Sequence, residues 1–292
     1  MRAVCYNIRK EHNMLGAIIG DIVGSRFQFL DYKSKKFTFF EEHCVPTDDT
    51  FMTLAVAKAL LLCKDWSDTA HLQTLTIRMM KEIGEAHKDT GWGARFYKWL
   101  FVPGFCEPYN GFGNGAGMRV SPVGWVARSE EEVKRLSKAV TEISHNHPEG
   151  LKGAECIAMA VYLARNGTPM YELKTRLTQD YYPSLATLTL DTIRPFYEVD
   201  DKGDWVTCQG SIPQALTAFF ESTSFEDAVR NAISIGGDAD TIACMAGAVA
   251  EAYYGVDRET EERAIAYLSD DLKNIYYAFD TVKRKRILKN IQ

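Results

Sequence analysis

Two short acidic segments, about 190 residues apart, carry the densest chemistry in the chain: Thr47-Asp48-Asp49-Thr50 and Gly236-Gly237-Asp238-Ala239-Asp240-Thr241. Together they supply four carboxylates and three hydroxyls, all hard oxygen donors. Such donors suit Mg²⁺ or Mn²⁺, and four aspartates balance the charge of two divalent ions. A two-metal centre of this kind can orient water and a sugar or phosphate for hydrolysis. Each segment also falls where a helix should begin, so a second reading stays open. Thr and Asp satisfy free backbone N–H groups at a helix start and complement the helix dipole. Gly236 or Gly237 would end one helix and Asp238 would cap the next. One carboxylate is enough for a cap, however. Two at each of two helix starts repel one another unless a cation sits between them.

Three further segments carry polar residues in unusual settings. Gly111-Phe112-Gly113-Asn114-Gly115-Ala116-Gly117-Met118-Arg119 is a flexible loop entering a helix. Its backbone N–H groups could cradle a diphosphate, or it could be a structural turn. It lacks the phosphate-binding G-x-x-x-x-G-K-[ST] pattern and follows no convincing strand. Gly91-Trp92-Gly93 is a smaller version of the same loop. His145-Asn146-His147-Pro148-Glu149-Gly150 joins two helical patterns. No Cys or His with zinc-site spacing accompanies it, which leaves a capped turn or the lining of a polar pocket. Asp21, in Gly20-Asp21-Ile22-Val23-Gly24-Ser25-Arg26-Phe27-Gln28, sits among apolar neighbours and needs a partner if buried. It could orient a ligand or cap a neighbouring helix.

The elements that must position these residues read as helices. Met52, Leu54, Ala55, Val56, Ala59, Leu60 and Leu62 recur at three- and four-residue spacings. Leu72 to Ile83 and Val133 to Ile143 do the same. Ala154 to Ala164 is apolar nearly all round and predicts a buried central helix. Ala239 to Tyr254 is equally apolar and built of small residues, so a neighbouring helix can approach it closely. Ala264 to Leu288 predicts one or two closing helices. Lys36 to Phe40 could form a short extended segment but not a sheet. The acidic segments lie in opposite halves of the chain. If they meet, the chain must close on itself, which favours one all-α domain.

Composition excludes several classes. With 46% hydrophobic residues over 292, the chain can bury a large core. The net charge of −5 gives no electrostatic reason to expect nucleic acid as a partner. The short basic run Lys283-Arg284-Lys285-Arg286 reads as a solvated face. Seven scattered cysteines without a C-x-x-C pair fit a reduced, cytoplasmic protein. No apolar run is long enough for a signal peptide or a bilayer span, so no membrane partner is expected. The folded unit is expected to occupy residues 14–292, behind a polar and basic extension over residues 1–13.

Taken in order, the Gly20-Asp21…Gly24, Thr47-Asp48-Asp49-Thr50, Gly113-Asn114-Gly115…Met118-Arg119, His145-to-Gly150 and Gly236-to-Thr241 segments closely resemble the ADP-ribosylglycohydrolase family, that of the dinitrogenase-reductase-activating glycohydrolases. The resemblance runs from about Met14 to about Leu268. It implies a single orthogonal all-α domain with a binuclear Mg²⁺ or Mn²⁺ centre in a cleft. By that resemblance Thr47, Asp48, Asp49, Asp238, Asp240 and Thr241 hold the metals. It further implies an ADP-ribose or ADP-ribosylated substrate, cleaved at the anomeric carbon of the distal ribose. Gly91, Gly93, Gly111, Gly113, Asn114 and Gly115 would hold the diphosphate side of that substrate, with Asp21, Phe112, Met118 and His145 also at the substrate. Catalysis would fall to Asp48, Asp49 and the residue at position 28. Many family members carry glutamate there, and this chain has Gln28. Glutamine keeps the reach but cannot accept a proton as a carboxylate does.

Overall fold

The computed structural model describes residues 14–197, 199 and 203–289. The expected extension over residues 1–13 lies outside the described residues. In chain order the helices are α1 (Gly16–Gly24), α2 (Asp48–Leu62), α3 (Thr69–Ala86), α4 (Ala94–Phe101), α5 (Gly115–Met118), α6 (Ser121–Val126), α7 (Glu130–Thr141) and α8 (Pro148–Arg165). They continue with α9 (Met170–Asp180), α10 (Leu190–Ile193), α11 (Cys208–Phe220), α12 (Phe225–Ile233), α13 (Ala239–Tyr254), α14 (Arg258–Ala266) and α15 (Asp270–Lys289). Every helix expected from apolar spacing is present, and the closing segment is two helices. Among the described residues there is no strand. Lys36 to Phe40 bends instead, and Arg230 stacks on Phe37 and Phe39 with its guanidinium carbon 4.6 and 5.4 Å from their ring centres.

The centre of the fold is α13, buried along most of its length. Its closest partner is α1, and three glycines set how near the two backbones come. Gly16, Gly20 and Gly24 recur every fourth residue and therefore line one face of α1. A Cβ at Gly20 would stand 2.0 Å from the Ala243 carbonyl oxygen, and one at Gly16 would stand 2.2 Å from that of Gly247. A Cβ at Gly24 would meet the Asp240 Cα at 2.5 Å. The start of α1 is fixed by Glu251 of α13, whose carboxylate accepts from Gly16 N at 2.6 Å. Backbone contact of this kind brings Asp21 and Asp240 together. Gly20→Ala should lower stability by about 2 kcal/mol in urea titrations, since overpacking outweighs the roughly 1 kcal/mol gain in helix propensity. Unchanged stability would show that the two helices can separate without cost.

α8 is buried as expected, and α7 and α11 pack against it. Of the basic run, Lys283 is not solvated. Its side chain is buried, its Nζ pairs with Asp280 at 2.8 Å, and it lies 5.0 Å from the Trp125 ring centre. The apolar stem and the pairing carboxylate let this lysine help close α15 onto the core. The side chains of residues 284–286 lie outside the described residues.

Candidate metal centre and cleft

The two acidic segments meet. Thr47 and Asp238 occupy the N-cap positions of α2 and α13, and neither side chain caps its own helix. The cap for α2 comes from α1. Asp21 Oδ2 accepts from Thr47 N at 2.9 Å and Thr50 N at 3.1 Å, and its Oδ1 accepts from Thr47 Oγ1 at 2.6 Å. Asp21 is thus a buried helix cap at the acidic cluster. It does not line the cleft, where substrate contact was expected. Freed from capping α2, Asp48 and Asp49 point elsewhere. Asp49 Oδ2 accepts from Thr241 Oγ1 at 3.1 Å, which ties α2 to α13. Asp238 Oδ2 accepts from Asn114 Nδ2 at 2.6 Å, which ties α13 to the glycine loop.

Asp21, Asp49 and Asp240 each present one carboxylate oxygen within 4.8 Å of the others. Asp49 Oδ1 and Asp240 Oδ2 are buried and without a hydrogen-bond partner among the described residues. Leaving such oxygens unpaired is costly, and a hard divalent cation satisfies them. The donor set therefore fits Mg²⁺ or Mn²⁺.

Burial and mutual repulsion set the electrostatics. Burial, with the charges of Asp21 and Asp238, pushes the Asp48 carboxyl up to about 8. The same causes hold Asp49 and Asp240 well above the usual carboxylate range. Burial also raises Asp238 and Asp21, against the hydrogen bonds they accept. The sign of the linkage follows. Asp48 rises from an ordinary 3.8 to about 8 in the folded state, so the metal-free fold holds protons that the unfolded chain releases. That stabilising contribution is complete below about pH 4 and is lost as pH climbs toward about 8. Metal-free melting temperatures should fall across that window, and Mn²⁺ should remove the decline while releasing protons. A flat metal-free profile from thermal melts would contradict this.

Above the carboxylates opens a cleft of about 440 Å³. Gln28, Asp48, Asp238 and Thr241 line its acidic end. Gly91, Gly93, Gly111, Phe112, Gly113, Asn114, Gly115, Met118 and His145 line the rest. Thr47, Asp49 and Asp240 lie beneath, buried. At Gly91 and Gly93 a Cβ would meet nothing within 4 Å, so these glycines leave open space at the cleft. At Gly111 it would strike the Tyr109 ring at 2.7 Å.

His145 and His147 divide the roles that their turn left open. His147 caps α8, accepting from Glu149 N at 3.1 Å through Nδ1. His145 is buried at the cleft wall, and burial followed by the Arg119 charge holds its pKa well below the usual range. Arg119 Nη2 lies 3.3 Å from His145 Nδ1. A guanidinium can only donate, so Nδ1 accepts and Nε2 carries the proton. Arg119 itself is fully buried, stacked 5.3 Å from the Phe96 ring centre, and lines the cleft.

Several lining residues had not been expected at the site. Phe29, Arg95, Phe96 and Tyr109 adjoin expected positions and could have been found by extending them. The segment Gly203 to Thr207 is different, because it lies far in sequence from every expected position at the cleft. It reaches the cleft through long-range pairing: Asn114 N donates to Val206 O at 2.8 Å, and Cys208 N donates to Phe112 O at 2.9 Å.

Comparison with known proteins agrees with this architecture. The family model described as ADP-ribosylglycohydrolase matches residues 11–281. ADP-ribosylhydrolase ARH3 of Homo sapiens is 27% identical, over 85% of this chain and 86% of its own length. ADP-ribosylarginine hydrolase Tri1 of Pseudomonas putida is 25% identical, over 85% of this chain and 71% of its own length. A solved structure described as an ADP-ribosylglycohydrolase-related protein complex superposes with a TM-score of 0.64 at 23% identity, covering 94% of this chain and 97% of its own. With the family model spanning nearly the whole sequence, the chain belongs to the ADP-ribosylglycohydrolase family.

Proposed function

We propose that this protein is a divalent-metal-dependent hydrolase that releases ADP-ribose from a modified acceptor by cleaving the bond at the anomeric carbon of the distal ribose. The observation that carries the reading is the convergence of α2 and α13 starts into one acidic floor, with orphaned carboxylate oxygens, directly beneath a nucleotide-sized cleft. Thr47, Asp48, Asp49, Asp238, Asp240 and Thr241 would hold two Mg²⁺ or Mn²⁺ ions. When bound, such ions supply Lewis-acid stabilisation and activate water. The protein's own groups do the rest. The glycine loops would admit the diphosphate, and the proton on His145 Nε2, a nitrogen 3.4 Å from the Tyr109 hydroxyl, would be shared with or passed to an acceptor atom of the ligand. Asp48, half-buried and lining the cleft, would take a proton from the attacking water. Binding the ribose in one orientation removes part of the entropic barrier.

Gln28 favours a second reading, an ADP-ribose-binding protein with weak turnover. Its side chain lines the acidic end of the cleft with Asp48 and Asp238, so it stands at the reacting end without a carboxylate's basicity. Incubation with peptides ADP-ribosylated on arginine or on serine, with and without Mg²⁺ or Mn²⁺, separates the two. Metal-dependent release of ADP-ribose is expected. Tight ADP-ribose binding with no release from any substrate class would favour the second reading.

A further inference from the structure

The turn that delivers Asp238 is held from outside the acidic floor by one lysine. Lys33 Nζ donates to the carbonyl oxygens of Ile235 and Tyr197, both at 2.6 Å, and pairs with Asp31 Oδ1 at 2.8 Å. An ammonium has three N–H groups, and these three acceptors use them all. Ile235 immediately precedes Gly236 and Gly237, both in the left-handed region at φ +80° and +69°. A Cβ at Gly236 would stand 3.1 Å from Lys33 Nζ, and one at Gly237 would stand 2.6 Å from the Tyr197 ring. The turn is therefore enclosed on these sides. The segment carrying Gln28 is fastened to the same turn. Phe29 N donates to Gly237 O at 2.8 Å, and Leu30 forms an isolated antiparallel bridge with Gly237. Phe29 itself is held at φ +61°, a conformation that a bulky residue keeps only where its surroundings enforce it. Gln28 and Asp238 then line the same acidic end of the cleft.

We propose that Lys33 is a positioning residue: its ammonium pins the Gln28 segment, the Gly236–Gly237 turn and the Tyr197 carbonyl into one unit, and so holds Gln28 and Asp238 in register at the acidic floor. Only the cation-binding arm of the test below rests on the proposed metal site. Lys33→Met keeps the aliphatic stem and removes every donor. Lys33→Arg keeps donors and charge.

The test uses the full chain. Without metal, amide exchange at Phe29 should be at least about tenfold faster in Lys33→Met than in wild type, with α3 and α7 unchanged, and should return toward wild type in Lys33→Arg. Mn²⁺ affinity by calorimetry should fall about tenfold in Lys33→Met and recover in Lys33→Arg, the size expected for a residue acting behind the ligands. Should Lys33→Met fail to fold, Lys33→Gln, which retains a polar head, should change in the same direction. Wild-type protection at Phe29 in Lys33→Met overturns the pin. Faster exchange with unchanged Mn²⁺ affinity overturns its positioning role. A wild type that binds no Mn²⁺ would count against the metal site alone, and the exchange measurement would still decide the pin.

Discussion

Asp240→Ala should weaken binding of Mg²⁺ or Mn²⁺ by more than about 100-fold, beyond the 10- to 100-fold typical of residues behind the ligands. Activity should fall with it. The reason is local. Asp240 is fully buried; among the described residues one of its oxygens has no hydrogen-bond partner, and the other accepts from Thr241 N at 2.9 Å. A capping role makes a different prediction. Loss of a cap costs about 1 kcal/mol whether or not metal is added. Here the metal-free variant should melt no lower than wild type, because a buried carboxyl crowded against Asp238 and Asp49 has been removed. What should vanish is the rise in melting temperature on adding Mn²⁺, since only a ligand bound to the folded state produces that rise. Asp49→Ala should behave alike. Calorimetry together with melts in chelator and in Mn²⁺ separates the two roles, and unchanged affinity in either variant would refute the assignment.

Gln28→Glu should raise turnover of an ADP-ribosylated peptide by roughly 100-fold, the lower end of what a positioned acid or base contributes. The substitution keeps the side chain's length and cleft position while adding a group that can take a proton. It also adds a further carboxylate to the end of the cleft lined by Asp48 and Asp238. The gain should therefore appear only with a divalent cation present, and the metal-free variant should be less stable than wild type near neutral pH. Single-turnover kinetics on both forms measures the effect. Equal turnover would show that Gln28 does not limit the reaction and that Asp48 suffices.

Much of this arrangement is legible in the sequence. Apolar spacing gave α2, α3, α7, α8 and α13, because those helices bury one face or all faces in a single core. Four carboxylates at two helix starts exceeded the need for caps, and neither Thr47 nor Asp238 caps its own helix. Asp21 was harder. Its sequence context left two roles open, and it caps α2 from a neighbouring helix, which no local pattern reveals. The Gly16-Gly20-Gly24 repeat was a readable signal for close helix contact, yet its partner face on α13 lies more than 200 residues away. Lys283 was misread because run composition does not say which member of a basic run turns inward onto Trp125. The Gly203–Thr207 segment stayed hidden because its place at the cleft depends on pairing with Asn114 and Phe112 of the distant glycine loop.

The central claim is that residues from two distant helix starts share a pair of divalent ions. Anomalous diffraction from crystals grown with Mn²⁺ tests it most directly. Two peaks should lie at the cleft floor, within coordinating distance of Asp49 from one helix start and Asp240 from the other. An empty floor at saturating Mn²⁺, or ions bound only elsewhere on the surface, would contradict it.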